Sequence, residues 1–201
     1  MIKKRIGILG GTFNPIHLGH IELMNVAKEN FNLSEVWAIP TKIPPHKTAK
    51  NLVVAEHRLN MCKICAKKHN FKVLDIEQTM EGKSYSYRTL ETLSKKYPQY
   101  EFVLICGTDM FVTLLEWKYP DRIFKAAQIG GVFRAGGDFS AMEKLKQEYE
   151  SLGASVGICY AQIADISSTA VRECISKGEN ASNLIDREVY DYIKMNNLYK
   201  D

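Results

Sequence analysis

The amino-acid sequence predicts an α/β protein with a doubly wound, mostly parallel sheet and helices on both faces. Two observations support this fold class. Short runs rich in Val, Ile and Leu alternate with stretches of helical apolar spacing along all 201 residues. Residues 101–106 contain the continuous apolar run FVLIC, which is typical of a strand buried on both faces.

Strands are predicted where β-branched and other apolar residues cluster between turn residues. They cover residues 5–9, 35–39, 72–76, 101–106, 128–133 and 155–159, and Pro40 ends the second one. Helices are predicted where apolar residues recur at helical spacing, as at Leu23, Met24 and Ala27. They cover residues 21–30, 55–68, 87–96, 141–151, 169–176 and 187–196. Residues 40–51, rich in Pro and Lys, are expected to form a loop that covers an active site.

The composition and the charge limit the classes of protein to which the chain can belong. With 45% hydrophobic and 25% charged residues, it is expected to fold as one domain, residues 1–201, whose helical C-terminal part (about 166–201) packs on the sheet. A net charge of +4, scattered along the chain, suits small anionic substrates and does not indicate a nucleic-acid partner. No apolar run has membrane-spanning length, and none fits a signal peptide. We therefore expect a cytoplasmic protein with five reduced cysteines; its oligomeric state does not follow from the sequence.

The first candidate site follows the first strand. Gly10 and Gly11 allow a ligand to approach the backbone closely, and the start of the next helix favours anions. His17 and His20 are three residues apart, so they share one face of that helix. The stretch lacks the endings of a Walker loop and of the dinucleotide fingerprint. On spacing alone, an anion site and a structural histidine pair are equally open, and a metal site would need a third ligand.

The second candidate site is the stretch ISSTAVR, from Ile166 to Arg172. Three hydroxyl groups precede a predicted helix, and an arginine follows one turn later. Hydroxyls and free amides at a helix start can hold phosphate oxygens, with Arg172 as a fixed cation. An ordinary N-cap with a solvated arginine would give the same pattern, so this stretch alone does not decide between the two.

Together, the two stretches resemble the paired signatures of the nucleotidyltransferase superfamily marked by H-x-G-H and I-S-S-T-x-x-R. The resemblance extends to its bacterial nicotinate mononucleotide adenylyltransferases. GGTFNPIHLGH is similar to their G-G-T-F-D-P-I-H-x-G-H, and PPHK at residues 44–47 matches their P-P-H-K loop. Further matches in the family's order are SYS at residues 84–86, GTD at residues 107–109, Trp117 and Arg134.

Three positions depart from that family's pattern. Asn14 replaces the commoner Asp, which removes a charge but keeps hydrogen bonding. Arg88 stands where Asp is frequent, and Lys118 stands where Tyr is frequent. Because the last two lie on the expected pyridine-nucleotide side, they leave substrate detail open but not the type of reaction.

The resemblance implies a Rossmann-like fold and transfer of the adenylyl group from ATP to nicotinate mononucleotide, giving deamido-NAD and pyrophosphate by direct in-line attack. It implies catalytic contacts to the ATP phosphates by His17, His20 and Arg172. Further ATP and phosphate contacts are implied at Gly10, Gly11, Thr12, Phe13, Lys47, Gly107, Asp109, Ile166, Ser168 and Thr169. Contacts to the mononucleotide are implied at Tyr85, Ser86, Trp117 and Arg134. Mg²⁺ would be held by phosphates and water, with no protein ligand.

Simpler interpretations of some of these residues remain. Asp109 could act as a helix N-cap, Trp117 could belong to the core and Arg134 could be a surface residue. For the whole chain, the alternatives are a related enzyme acting on nicotinamide mononucleotide or phosphopantetheine, and a nucleotide-binding regulator without turnover.

A cysteine–histidine group lies outside these motifs. Cys62, Cys65 and His69 share one face of the helix predicted at residues 55–68 and its end, and such ligands could indicate zinc. Apolar residues share that face, which makes core packing the simpler interpretation. Three residues of one helix also reach a single metal ion poorly without a partner element.

Overall fold

A computed structural model of the chain describes residues 3–45, 51–134 and 138–200. Within them, six strands form one parallel sheet: β1 (Lys4–Gly11), β2 (Glu35–Pro40), β3 (Lys72–Val73), β4 (Tyr100–Gly107), β5 (Gln128–Arg134) and β6 (Val156–Ala161). Their order across the sheet is β3-β2-β1-β4-β5-β6, which is the Rossmann order with its reversal beside β1. The predicted doubly wound fold class is therefore confirmed.

The helices of the described residues lie between these strands and after the last one. They are α1 (Leu18–Asn30), α2 (Ala55–Ala66), α3 (Ser86–Lys96), α4 (Thr108–Val112), α5 (Pro120–Ala126), α6 (Phe139–Ser151), α7 (Ser168–Ser176) and α8 (Arg187–Met195). The two short helices α4 and α5 were not predicted, because five and seven residues give little periodicity to detect. The strand predicted at residues 72–76 ends at Val73, and residues 76–78 form a 3₁₀ turn instead.

Contacts within the chain divide it into two compact units. The first unit comprises Met1–Gly10, Leu23–Trp37 and Tyr85–Ile163. The second unit comprises Gly11–Glu22, Ala38–Ser84 and Ala164–Asp201.

The first unit contains β4 and β5, whose central residues are buried. Phe31, at the end of α1, lies against Gly130 of β5, where an added Cβ would come within 2.8 Å of its ring. Tyr149 of α6 is also fully buried and donates a hydrogen bond of 2.5 Å to the Phe111 carbonyl. Such packing requires a small residue at the strand centre and satisfies the one polar atom that the tyrosine buries.

Helices α2 and α8 contact each other in the second unit. Val189 and Ile193 are fully buried on one face of α8, as their i, i+4 spacing predicts. The Tyr192 hydroxyl lies 2.9 Å from His57 Nδ1 and accepts a 3.2 Å hydrogen bond from Asn60 Nδ2, both on α2. The helical C-terminal part therefore has direct partners on α2. In the parts of the chain that the structure describes, no helix combines the length and the apolar composition needed to cross a bilayer.

Candidate active site

The loop that follows β1, residues 12–17, has an irregular backbone. Phe13 is buried and has a φ of 47°, a left-handed conformation that non-glycine residues seldom adopt. Its ring covers Gly11, where an added Cβ would lie only 3.0 Å from it. At Gly10, an added Cβ would meet no described atom within 4 Å. The two glycines therefore have different roles, because Gly11 admits the Phe13 ring and Gly10 leaves open space.

A buried arginine holds this loop, and no local sequence pattern predicts that role. Arg58 of α2 is only 1% exposed, and its guanidinium donates to the Thr12 carbonyl at 2.7 Å and the Thr41 carbonyl at 2.6 Å. It also donates to the carbonyls of Lys42, at 3.0 Å, and Val53, at 3.1 Å. Burial lowers the pKa of Arg58, and four carbonyl acceptors compensate for the lost hydration. One side chain thus connects the loop after β1 to both ends of the Pro-rich segment.

Asn14, which replaces the commoner Asp, makes a second set of contacts. Its Oδ1 accepts hydrogen bonds from the Tyr199 hydroxyl at 2.9 Å and from the Val53 amide at 3.3 Å. Its Nδ2 donates to the Asn51 carbonyl at 3.0 Å. A carboxylate could accept the first two bonds but could not donate the third. The amide therefore suits this buried position, which is 4% exposed.

His17 and His20 lie face to face, with ring centroids 3.6 Å apart and an angle of 30° between the rings. The His17 backbone amide donates to His20 Nδ1 at 3.2 Å, so the proton of neutral His20 is on Nε2. At Gly19, an added Cβ would approach His17 Nδ1 to 3.2 Å, which explains the glycine between the two histidines. The two rings lie together as their spacing predicts, although His17 precedes α1 and only His20 belongs to the helix.

Both imidazoles are neutral at pH 7 in the free protein. Burial lowers the pKa of His17 from 6.5 to about 4. Burial also holds the pKa of His20 well below its usual range, and the adjacent His17 lowers it further. The Nδ1 atom of His17 is buried and has no hydrogen-bond partner among the described residues. The pair can therefore donate N–H groups to a ligand but carries no charge of its own before the ligand binds.

The second motif begins α7 and contacts the loop after β1. Ser167 is the N-cap, with its Oγ accepting from the Ala170 amide at 3.1 Å, as the N-cap interpretation of these hydroxyls predicts. Ser168 Oγ donates to the Pro15 carbonyl at 2.9 Å. Arg172 donates to the Asn14 carbonyl at 2.9 Å and to Thr169 Oγ1 at 3.1 Å. Two motifs that are far apart in the sequence thus meet in the second unit.

The other residues of this motif differ in exposure. Thr169 is exposed, while Ile166 and Arg172 are half-buried. The Arg172 guanidinium is fixed by a backbone carbonyl and a hydroxyl, so it presents its charge from a defined position. Lys47, expected to supply a further cation from the PPHK loop, lies outside the described residues.

The residues expected on the mononucleotide side belong to the first unit. Tyr85 is the N-cap of α3 and makes no side-chain capping bond, and its carbonyl accepts from the Arg88 amide at 3.0 Å. The amides of Ser86 and Tyr87 are the first two of this helix and have no acceptor within it. The Lys118 ammonium lies 4.8 Å from the centre of the Tyr85 ring. Two leading amides and one cation are thus available near Tyr85.

The remaining predicted positions follow β4 and β5. Gly107 is the N-cap of α4, and Asp109 lies exposed in the first turn, so the interpretation of Asp109 as N-cap is wrong. Trp117 follows a 3₁₀ turn and is half-buried, which does not fit a fully buried core position. Arg134 is the last residue of β5, and its backbone pairs with Ala161.

Comparison with known proteins identifies the family. A model of the cytidylyltransferase-like family matches residues 8–174, which is most of the chain. The chain belongs to this family. A relative from Clostridium botulinum (strain Kyoto / Type A2), named "Probable nicotinate-nucleotide adenylyltransferase", is 38% identical over the full length of both chains. One of the same name from Bacillus licheniformis is 34% identical, covering 98% of this chain and 99% of the relative.

A solved structure shares the fold. The nicotinic acid mononucleotide adenylyltransferase of Plasmodium falciparum, complexed with NaAD, has a TM-score of 0.77 at 21% identity. The match covers 98% of this chain and 97% of the other. The predicted membership among the nicotinate-nucleotide adenylyltransferases is confirmed by these relatives.

Proposed function

We propose that this protein transfers the adenylyl group of ATP to nicotinate mononucleotide, forming deamido-NAD and releasing pyrophosphate. The observation that carries the proposal is the contact of the I-S-S-T-x-x-R helix with the histidine loop, in a chain that matches full-length relatives named for this reaction. We include residues 1–201 as one functional nucleotidyltransferase domain, because the family model matches residues 8–174, most of the chain. A cytoplasmic location is part of the proposal.

The nucleophile needs no base from the protein. The second ionisation of a phosphate monoester has a pKa near 6, so the mononucleotide phosphate is largely a dianion at neutral pH. One of its oxygens attacks the α-phosphorus of ATP in line, and the bond from that phosphorus to the bridging oxygen of the leaving pyrophosphate breaks. Catalysis then consists of positioning and of stabilising charge on the phosphates.

The neutral histidine pair suits this task. A neutral imidazole donates one N–H, and in His20 that donor is Nε2, because Nδ1 already accepts from the His17 amide. We assign the transition-state contact to His20 and a second phosphate contact to His17. Donors fixed before the reaction stabilise developing charge without reorganisation, which is the larger part of their effect.

Permanent charge comes from the arginine. The guanidinium of Arg172 is held by the Asn14 carbonyl and the Thr169 hydroxyl. We assign it to binding the β and γ phosphates of ATP, which become the leaving pyrophosphate. Lys47 is proposed as the second cation. Backbone amides at Gly11, Thr12 and Phe13 are proposed to contact phosphate oxygens, with Gly10 leaving the space that they need.

Four further residues are proposed to contact ATP. Ile166 and the backbone amide of Ser168 are assigned to ATP, because the Ser168 hydroxyl already donates to the Pro15 carbonyl. Gly107 and Asp109 follow a buried strand, and the exposed carboxylate of Asp109 is suited to accept bonds from ribose hydroxyls.

The pyridine nucleotide is assigned to residues of the first unit. The leading amides of α3, at Ser86 and Tyr87, suit the nicotinate carboxylate, since anions bind favourably at helix starts. Half-buried Trp117 offers a ring face for the pyridine. Lys118 near Tyr85 adds positive charge, which favours the acid over the amide. Arg134 remains assigned to this nucleotide from the family pattern.

The side chains around the histidines indicate how Mg²⁺ would be held. Imidazole N–H, hydroxyl and guanidinium groups are partners for phosphate oxygens, whereas Mg²⁺ prefers oxygen ligands and keeps several waters. These residues therefore fit Mg²⁺ that is bound to the phosphates of ATP and to water. When bound there, Mg²⁺ neutralises part of the phosphate charge.

An acceptor panel tests the proposal. The purified protein, ATP and Mg²⁺ are incubated with nicotinate mononucleotide, nicotinamide mononucleotide or phosphopantetheine, and pyrophosphate release is followed. We expect the highest kcat/KM with nicotinate mononucleotide and deamido-NAD as the product. Preference for phosphopantetheine would overturn the assignment of the acceptor. Binding of ATP without pyrophosphate release from any acceptor would favour a non-catalytic regulator.

A further inference from the structure

A cluster of possible metal ligands lies at the end of α2, formed by residues that the proposed reaction does not use. Cys65 Sγ, His69 Nε2 and an Asp186 carboxylate oxygen all lie within 4.8 Å of one another. The Asp186 Oδ2 atom is 2.5 Å from His69 Nε2 and 3.3 Å from Cys65 Sγ. The cysteine is 3% exposed and the aspartate 5%, so two of the three groups are buried.

The backbone places the cysteine and the histidine together. The His69 amide donates to the Cys65 carbonyl at 3.1 Å, which continues the last turn of α2 for one more step. Side chains four residues apart on a helical turn lie on the same face. Asp186 supplies the partner element from a separate part of the chain, which three residues of a single helix could not do. Cys62, one turn earlier, is buried in the core and is not in the cluster.

The Asp186 side chain faces this cluster and does not cap its own helix. It is the N-cap of α8, where an aspartate usually accepts a hydrogen bond from a first-turn amide, yet it makes no such bond. Its Oδ2 faces Cys65 and His69, and its Oδ1 accepts from the Lys68 ammonium at 2.7 Å. The carboxylate is thus positioned for partners on α2.

We propose that Cys65, His69 and Asp186 form a zinc site that fastens α8 to the end of α2. One sulfur, one nitrogen and one oxygen ligand fit the borderline-soft Zn²⁺, and three protein ligands leave a fourth tetrahedral position for water. Two ligand atoms bound to one zinc ion at the usual bond lengths are about 3.5 Å apart. The distance between His69 Nε2 and Asp186 Oδ2, now 2.5 Å, must therefore increase by about 1 Å when zinc binds. His69, whose side chain is 23% exposed, can make that movement at the solvent side.

The charges of such a site balance. A thiolate and a carboxylate cancel the two positive charges of the metal, and the thiol proton is released to solvent. Lys68 need not be displaced, because it binds Oδ1 while Oδ2 is the atom that faces the other ligands. It becomes an outer-sphere donor to the ligating carboxylate, a usual feature of metal sites.

The neighbouring contacts give the site a rigid frame. Tyr192 of α8 is already bonded to His57 and Asn60 of α2, so the two helices are positioned without the metal. Ligands held in advance on packed helices need little reorganisation on binding. We therefore expect zinc to add stability to a folded protein and not to be required for folding.

Cobalt(II) provides the spectroscopic test. The protein is stripped with a chelator, kept reduced with a phosphine and titrated with Co²⁺ in the absence of nucleotide. We expect one equivalent to bind with a thiolate-to-cobalt charge-transfer band in the near ultraviolet, and excess Zn²⁺ to remove the band. Zn²⁺ alone should raise the Tm. The absence of the band at saturating Co²⁺, or an unchanged Tm with Zn²⁺, would overturn the proposal.

Variants identify the ligands. Cys65→Ser should abolish the band, whereas Cys62→Ser, a buried cysteine of the same helix, should retain it. His69→Ala changes a partly exposed side chain, so it should fold, and it should weaken Co²⁺ binding by more than about 100-fold and remove the Zn²⁺-dependent rise in Tm. A band that survives in Cys65→Ser would contradict this ligand set. Because no readout uses the substrates, failure here leaves the proposed adenylyl transfer untouched.

Discussion

Replacing His17 by Gln should make the protein less sensitive to acid. His17 is 7% exposed, and burial lowers its pKa from 6.5 to about 4. The unfolded chain therefore binds a proton in a range where the folded chain does not, and the folded state loses stability as the pH falls through that range. The loss begins below pH 6.5 and is complete below about pH 4. His17→Gln removes this contribution, since glutamine does not titrate.

The magnitude follows from the two pKa values. A pKa that is lowered from 6.5 to about 4 corresponds to about 3 kcal/mol when protonation is complete. At pH 5 the unfolded histidine is almost fully protonated and the folded one is not, which gives a loss of about 2 kcal/mol. The adjacent His17 also lowers the pKa of His20, so His17→Gln lessens the acid loss at His20 as well and does not reduce the difference between the two proteins.

Urea unfolding at pH 7.5 and pH 5.0 measures the effect. Between these pH values, the wild type should lose about 2 kcal/mol more free energy of unfolding than His17→Gln. Between pH 8.5 and 7.5 the difference between the two proteins should stay constant, because His17 is neutral throughout. Equal losses on acidification would refute the argument that burial keeps His17 neutral.

Three further substitutions have expected outcomes. His20→Ala should lower kcat by about 100-fold or more in a steady-state pyrophosphate assay, because a fixed hydrogen-bond donor to the phosphates is lost. His57→Gln serves as the control for replacing a histidine. A normal kcat in His20→Ala would exclude the role assigned to His20. Trp117→Ala should raise the KM for nicotinate mononucleotide and leave that for ATP unchanged, since its ring is assigned to the pyridine; equal rises would contradict stacking. Arg58→Ala should lower the free energy of unfolding in urea by about 3 kcal/mol, because four backbone carbonyls lose a buried donor; a loss below about 1 kcal/mol would show that water replaces it.

Much of the fold and the histidine motif could be predicted because each depends on local patterns. The alternation of apolar strands and amphipathic helices is a property of neighbouring residues, and it predicted where the six strands lie, although β3 is shorter than predicted. Gly19 between the histidines and Ser167 before α7 are also local features, and the structure gives each a contact that explains it.

The missing pieces depend on contacts between distant segments. Arg58 has the spacing of an ordinary helical residue, and nothing nearby in the sequence shows that carbonyls from three other segments surround it. Asn14 differs from the commoner Asp by a single group, and its sequence neighbours do not reveal that Tyr199 and Asn51 are its partners. Asp186 resembles any N-cap, because the thiol and imidazole that it faces are more than one hundred residues earlier.

The bond between Tyr199 and Asn14 has a consequence for the order of events during synthesis. These residues are 185 positions apart, so the loop at residue 14 emerges from the ribosome long before the hydroxyl that holds it. A nascent chain can form β1 and α1 early, but it cannot complete this loop until residue 199 is available. A product cut short by a few residues would keep every signature motif and still lack one fixed point of the loop. The short segment after α8 that carries Tyr199 therefore helps to hold the loop after β1, at the other end of the sequence.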